Sequence, residues 1–338
     1  MDSMPAFELK QPSSVAEAAA LLAADPQARL LAGGTDLVPN LRRGIERPPV
    51  LVALGGIADF DAIVSAPEGT WIGAGVRLAR LAAEPSIAAR HAAITQAAGA
   101  IAGPGHRSVA TLGGNLCLDT RCVFYNQSEW WRASNNYCLK RGGDTCHVAP
   151  QGARCHAAFS GDLAPALLAL DAEVELVASR GTRRIALAEL YRDDGAAHLT
   201  IARDEVLARV LVPTGASGSV CGYRKARVRG AMDFPLAGVA CALTLSGDGT
   251  LQALRIALTG TNAQPIVLAG TEALLGRRVD HELLATLGKL VQKQVSPMRT
   301  TVTQSNYRRQ VAAVMTQRLV QALSASPDAA PTRANQAR

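Results

Sequence analysis

The chain has 338 residues, 48% hydrophobic and 19% charged, with a formal net charge of +7; this length predicts two or three domains rather than one core. No apolar run approaches the roughly 20 residues that span a bilayer, and Ala16 to Ala24 is both short and interrupted by Glu17. The arginines are dispersed, with no basic stripe carrying interleaved aromatics, so the charge points to acidic partners, a phosphorylated cofactor or a solvated face rather than to nucleic acid.

Phe7 to Lys10 reads as a strand, and Ser14-Val15-Ala16-Glu17 as a capping box opening an alanine-rich helix. Arg29 to Leu31 is the next strand, followed by Ala32-Gly33-Gly34-Thr35-Asp36 and a helix to about Arg43. Strand, paired glycines and helix start expose free amides to an anion. Asp36 would repel that anion, so its carboxylate is expected on the helix amides as a cap. Pro48 to Leu54 and Thr70 to Val76 are further strands, and Ile87 to Ala102 is a helix ended by Gly103-Pro104-Gly105. Thr111-Leu112-Gly113-Gly114-Asn115 supplies a second Gly-Gly turn, suited to another part of an extended ligand. Two such turns favour a dinucleotide, while the absence of G-x-G-x-x-G and of a P-loop argues against a Rossmann nicotinamide site and an NTPase.

Five of the seven cysteines, Cys117, Cys122, Cys138, Cys146 and Cys155, fall in the next segment. Their spacing lacks the short C-x-x-C pairs of zinc ribbons and the compact ferredoxin run, yet widely spaced thiolates can converge on a 4Fe-4S cube. Phe124, Tyr125, Trp130, Trp131 and Tyr137 accompany them and could shield a cluster from water, or simply form the small core of an insertion. A zinc site recruiting His147 or His156 and structural disulfides are the alternatives. The opening Met1-Asp2-Ser3-Met4-Pro5 has no signal-peptide pattern and the cysteine total is odd, which favours a cytoplasmic protein with free thiols. Cys117 reads as a spare thiol near the site, and Cys221 and Cys241 as small core residues.

Beyond the cysteines, Asp162 to Leu170 is a helix, Glu173 to Ala178 and Thr182 to Leu187 are paired strands, and Glu205 to Val212 is a strand ending at Pro213. After a boundary at Gly215 to Gly218, the stretches Gly222 to Val228, Ala237 to Ser246 and Leu251 to Thr259 form an antiparallel sheet with a Gly247-Asp248-Gly249 hairpin. Helices are expected near 266–275, 280–293 and 305–323, the last burying Val311, Met315, Val320 and Leu323. The tail from Ser324 to Arg338 reads as disordered.

Leu31 to Leu37, Thr111 to Asn115, Asp162-Leu163-Ala164-Pro165-Ala166-Leu167, and Tyr223-Arg224-Lys225 ahead of Asp233-Phe234 together resemble the FAD-binding subunits of molybdenum hydroxylases, the xanthine and carbon monoxide dehydrogenase family. The resemblance implies an α/β (α+β) fold: a two-part FAD-binding region of the PCMH/vanillyl-alcohol-oxidase-like type, residues 1–55 and 56–215, a C-terminal domain over 216–323, and the tail 324–338. It implies FAD held by Leu31, Ala32, Gly33, Gly34, Thr35, Asp36, Thr111, Gly113, Gly114 and Asn115, with Asp162 on nucleotide hydroxyls and Leu207 and Lys225 near the isoalloxazine. Gly103-Pro104-Gly105-His106-Arg107 departs from the family pattern.

The cysteine insertion, 117–159, with Cys122-Val123-Phe124-Tyr125-Asn126-Gln127 and Trp130-Trp131-Arg132, resembles the β subunits of 4-hydroxybenzoyl-CoA reductases. That implies a 4Fe-4S cluster on Cys122, Cys138, Cys146 and Cys155. It also implies partner subunits carrying molybdopterin and 2Fe-2S clusters, ferredoxin as electron donor, and a dimer of heterotrimers. Electrons would run from ferredoxin through this chain to molybdenum. An oxidative hydroxylase running the other way, towards NAD or another acceptor, is the alternative, and a zinc-stapled interaction module is the rival of another class.

Overall fold

The computed structural model describes residues 4–299 and 303–325. Three sheets organise the chain. The first is parallel, in the order β1 (Glu8–Lys10), β3 (Val50–Ala53), β2 (Arg29–Leu31), with the helices Val15–Ala24 and Leu37–Arg42 as its crossovers. Ser14 caps the first helix by accepting from the Glu17 amide at 3.1 Å. The Glu17 carboxylate returns to the amide of Ser13 at 2.7 Å rather than to Ser14, a capping box displaced by one residue.

The second sheet is antiparallel, in the order β4 (Ile63–Ala66), β5 (Gly69–Gly73), β8 (Val206–Pro213), β6 (Glu173–Ala178), β7 (Gly181–Ala186). Along β6 the alternation is clean: Val174, Leu176 and Ala178 are buried, while Glu175 on the opposite face pairs with Arg209. The third sheet follows the order β12 (Ile266–Val267), β11 (Leu251–Thr259), β10 (Ala237–Leu245), β9 (Ser219–Ala226), and is again antiparallel. The helices His281–Gln294 and Ser305–Ala325 close a separate core on it, built from Val239, Ile256, Leu287 and Val320 among others. The larger core runs beneath the other two sheets and takes in Tyr223, Ala240 and Ala257 from the third.

Several expectations need correction. The helix expected over 87–102 is two, Pro85–Arg90 and Ala92–Ala100, separated at His91, whose backbone (φ −136°, ψ 55°) leaves the helical region. Residues 266–275 form no α-helix; Ile266–Val267 pairs with β11 and only Thr271–Leu274 makes a 3-10 turn, because the edge of the third sheet claims the segment first. β4 and the helix Leu78–Ala83 went unread. On the last helix Val320 is buried as expected, but Arg308, Ala312, Ala313, Thr316 and Leu319 fill the rest of its inner face, with Val311, Met315 and Leu323 packing at its margin. That helix includes Ser324 and Ala325, and the remainder of the expected tail lies outside the described residues. Among the described residues no helix is long and apolar enough to cross a membrane.

Candidate functional site

The two Gly-Gly turns, far apart in sequence, touch. A Cβ on Gly33 would lie 2.1 Å from the carbonyl oxygen of Val109 and 2.8 Å from Cα of Ala110, so only glycine lets the first turn lie against the residues leading into the second. Gly34 adopts a left-handed φ of +70°. Among the described residues, the amides of Gly33, Gly34, Thr35 and Asp36 have no protein acceptor. The second turn differs: Gly113 N donates to Ala74 O at 2.8 Å, and Gly114 N to Thr111 Oγ1 at 3.1 Å. Asn115 is buried, and its Oδ1 accepts from Leu163 N at 3.0 Å, fixing the start of the helix Leu163–Leu168. Donors for a phosphate therefore come from the first turn, while the second supplies its wall.

Asp36 does not cap its helix. Its two carboxylate oxygens accept from Arg121 Nη2 at 2.9 and 2.8 Å, and Oδ2 also accepts from Asn40 Nδ2 at 3.0 Å. A charged partner from a distant segment outcompetes the local amides. This pairing removes the repulsion that an anion at the turn would otherwise meet.

Asp162 is 3% exposed. Its Oδ1 accepts from the Tyr223 hydroxyl at 2.5 Å and its Oδ2 from Lys225 Nζ at 3.0 Å. Burial pushes its carboxyl up, and the adjacent ammonium opposes that shift. Lys225 has a side chain only 4% exposed and donates also to Ala100 O at 3.2 Å. Asp162, Tyr223 and Lys225 thus lock the helix Leu163–Leu168 to β9, and the carboxylate expected on nucleotide hydroxyls already has two protein donors. Leu207 lies buried on β8, opposite Leu176.

The cysteine segment is pinned at its base by reciprocal backbone bonds between Arg121 and Ala158, at 3.0 and 2.9 Å. Cys122, Cys138, Cys146 and Cys155 are all buried and line one small cavity with Phe124, Tyr125, Leu139, Lys140, His147, Val148 and Ala157. Backbone amides of Tyr125 and Ala157 donate to the sulfurs of Cys122 and Cys155 at 3.3 and 3.4 Å. Burial pushes the Cys155 thiol up to about 11 and raises that of Cys122, each further raised by charge on neighbouring cavity thiols. All seven cysteines are free. Among the described residues no three His, Cys, Asp or Glu side chains are disposed to hold a metal ion, so the four thiols ring a cavity rather than closing on one point.

His147 Nε2 bonds to Tyr137 O at 2.6 Å. Of the aromatics, Tyr125 is buried and Phe124 packs beside it, but Trp130 is 77% exposed and shields nothing. Arg132, buried, holds the loop from within by donating to the carbonyls of Tyr125 and Gln127. Cys117 ends the helix Leu112–Leu116 and packs on the main core, away from the cavity. A wider cleft lined by Arg29, Arg47, Arg141 and Arg203 contains none of the expected site residues.

Sequence reading missed Arg121, Lys140 and Tyr223. Lys140 donates to Asp119 at 2.6 Å and lies 4.6 Å from the centre of the Tyr125 ring, on which Arg121 also stacks at 5.3 Å. Arg121 carried one signal, its place directly before Cys122; Tyr223 stood within the quoted Tyr223-Arg224-Lys225 motif without a role.

Residues 5–215 match the family described as the FAD binding domain in molybdopterin dehydrogenase, and residues 222–323 match the CO dehydrogenase flavoprotein C-terminal domain. The chain is 32% identical to the aldehyde oxidoreductase FAD-binding subunit PaoB of Escherichia coli (strain K12), over 81% of this chain and 87% of that one. It is 28% identical to the carbon monoxide dehydrogenase medium chain of Afipia carboxidovorans, over 93% and 96%. A crystal structure of the Cu,Mo-CO dehydrogenase superposes with a TM-score of 0.79 at 26% identity, covering 96% of this chain and 99% of that one. With its glycine turns, its mixed α/β architecture and its antiparallel C-terminal sheet all accounted for, the chain belongs to the FAD-binding subunits of the molybdenum hydroxylase family.

Proposed function

We propose that this chain is the electron-transfer flavoprotein subunit of an oxidative molybdenum hydroxylase whose substrate is an aldehyde. The observation that carries this reading is the 32% identity to an aldehyde oxidoreductase FAD-binding subunit across most of both chains. Other relatives are named as xanthine and carbon monoxide dehydrogenase subunits. These names favour the oxidative direction over the reductive dehydroxylation of 4-hydroxybenzoyl-CoA that the cysteine insertion had implied.

The residues fit a flavin dinucleotide. Unpaired amides at Gly33 to Asp36, a carboxylate neutralised by Arg121, and the glycine-only contact at Val109 make a cradle for a diphosphate. FAD supplies, when bound, the exchange between paired and single electrons. Leu207 and Lys225 are proposed to border its ring, while Asp162 and Tyr223 hold Lys225 in place. The aldehyde would react on a molybdopterin partner, gaining oxygen from water and releasing two electrons and two protons, and a 2Fe-2S partner would bring those electrons here.

We further propose a 4Fe-4S cluster on Cys122, Cys138, Cys146 and Cys155. Four buried thiols around one cavity, two of them receiving backbone N–H bonds of the kind that tune cluster potential, support it. The cluster would relay electrons between the flavin and an external one-electron carrier such as a ferredoxin.

The test is twofold. Anaerobically purified chain should contain about one FAD and about four iron and four sulfide, and Cys138→Ser should lose the iron while keeping the flavin. The complex with its partners should oxidise aldehydes with an artificial acceptor. Turnover of 4-hydroxybenzoyl-CoA from a low-potential donor, with no aldehyde oxidation, would overturn the oxidative reading, and zinc in place of iron would overturn the cluster.

A further inference from the structure

Arg121 occupies the seam between the dinucleotide turn and the cysteine loop. It is 9% exposed, and Nη2 binds both oxygens of Asp36. Its backbone is fixed by the two bonds to Ala158, and its guanidinium stacks on Tyr125, whose ring also receives Lys140. Everything about this side chain is held, except that Nη1 is buried with no hydrogen-bond partner. A buried guanidinium N–H without an acceptor is costly and calls for one.

The candidates for that acceptor are few. Asp36 already takes Nη2, and Asp119 approaches that same nitrogen, not Nη1, at 3.9 Å, beyond hydrogen-bond reach. Nη1 shares a rigid plane with Nη2, and Nη2 grips Asp36, the last residue of the turn whose four amides are also unpaired. Four unpaired amides on the turn, and a buried, unpartnered guanidinium nitrogen on the arginine that grips its last residue, describe a site for an anion with several oxygens.

We propose that Arg121 reads a phosphate of the flavin dinucleotide through Nη1 while holding Asp36 through Nη2, so that one guanidinium both neutralises the turn and binds the ligand. This rests on the family's FAD binding and deepens it, assigning the contact to a residue at the start of the cysteine insertion. Because Cys122 follows directly, the same side chain ties filling of the dinucleotide turn to order in the cysteine loop.

The experiment uses the full chain stripped of flavin, titrated with FAD by fluorescence quenching, with ADP and riboflavin as competitors. ADP carries the diphosphate without the isoalloxazine, and riboflavin the reverse. Arg121→Gln should weaken FAD and ADP alike by about 10- to 100-fold, the loss of one charge-assisted bond, and leave riboflavin unchanged. Arg121→Lys, which keeps the charge but loses the planar fork, should fall between. In the native chain, removing FAD should speed thiol modification of the loop cysteines, and in Arg121→Gln that dependence on FAD should disappear. Unchanged ADP affinity in Arg121→Gln would overturn the proposal, as would an equal loss for riboflavin, the signature of a merely structural residue. If Arg121→Gln fails to fold, Arg121→Lys decides: native ADP affinity in that variant overturns the fork contact. Native chain that binds neither FAD nor ADP would overturn the cradle itself, a failure distinct from either of these.

Discussion

Gly33→Ala should disable the dinucleotide turn without unfolding the chain. The added methyl would sit 2.1 Å from Val109 O, 2.6 Å from Val109 C and 2.8 Å from Ala110 Cα. Carbon and oxygen that are not bonded approach to about 3.3–3.6 Å, so the two turns must part by roughly 1 Å. The far wall resists: Ala110 O accepts from Leu78 N at 2.9 Å, and Leu112 N donates to Val76 O at 2.9 Å. The first turn must move instead, taking its amides with it. Overpacking of this kind costs about 1–3 kcal/mol of stability. Loss of even one charge-assisted bond to a phosphate costs about 1.5–3 kcal/mol, on the order of a 10- to 100-fold rise in Kd for FAD. Flavin titration and a far-UV circular dichroism melt measure the two effects separately. Gly55→Ala, with nothing within 4 Å of the new methyl, is the matched control. Native FAD affinity in Gly33→Ala would refute the claim that close approach of the two turns forms the cradle.

Lys225→Met would leave the Asp162 carboxylate buried with the Tyr223 hydroxyl as its one remaining side-chain donor, a loss of about 3–5 kcal/mol by urea denaturation. Asp162→Asn in the same chain should restore part of it, and an additive double variant would refute the coupling. His198, buried and bonded through Nε2 to Leu118 O at 3.0 Å, has its pKa lowered to about 4 by burial. Its unfolded value is about 6.5, so its contribution is present above pH ~6.5 and is lost as pH falls towards 4, because the unfolded chain takes the proton first. The loss should reach about 2 kcal/mol by pH 5, and His198→Gln should flatten that part of a stability–pH curve; a curve unchanged by the substitution would count against the buried neutral imidazole.

The parts of the site legible in the sequence were those written in local pattern. Paired glycines after a strand, a Ser and Glu at a helix start, and clustered cysteines each announce themselves within a few residues. What escaped depended on partners far along the chain. Asp36 was read as a cap because the helix amides are its sequence neighbours, yet Arg121, 85 residues on, gives a stronger charge-assisted contact. The pairing of Lys225 was equally hidden, since a single lysine carries no local sign that Asp162 will be buried against it. The break at His91 was illegible for the opposite reason: residues 86–98 around it hold neither glycine nor proline to mark the stop. Trp130 was credited with shielding by composition alone, whereas its place on the short helix Glu129–Ser134 turns it to solvent.

The architecture also makes the cysteine loop separable, which leads to a last prediction. No residue from Asp119 to Ala158 belongs to the main core, and the loop's own small cluster reaches outside itself through Ile45 and Met298. Its two ends, Arg121 and Ala158, already face each other across an antiparallel bridge, the geometry that a two-residue Asn-Gly turn closes. Replacing residues 122–157 by Asn-Gly should therefore leave the three sheets intact. The principal costs are exposure of Ile45, about 1.5–3 kcal/mol, and the loss of Lys140 from Asp119 and of the Cys155 amide from Asp194. Arg121 remains, and with it the contact to Asp36, so the shortened chain should fold and take up FAD while binding no iron. Flavin content, metal analysis and a thermal melt decide the matter. A shortened chain that folds but no longer holds FAD would mean that the loop positions Arg121 through Tyr125 and Lys140, and that the insertion is part of the dinucleotide site rather than an addition to it.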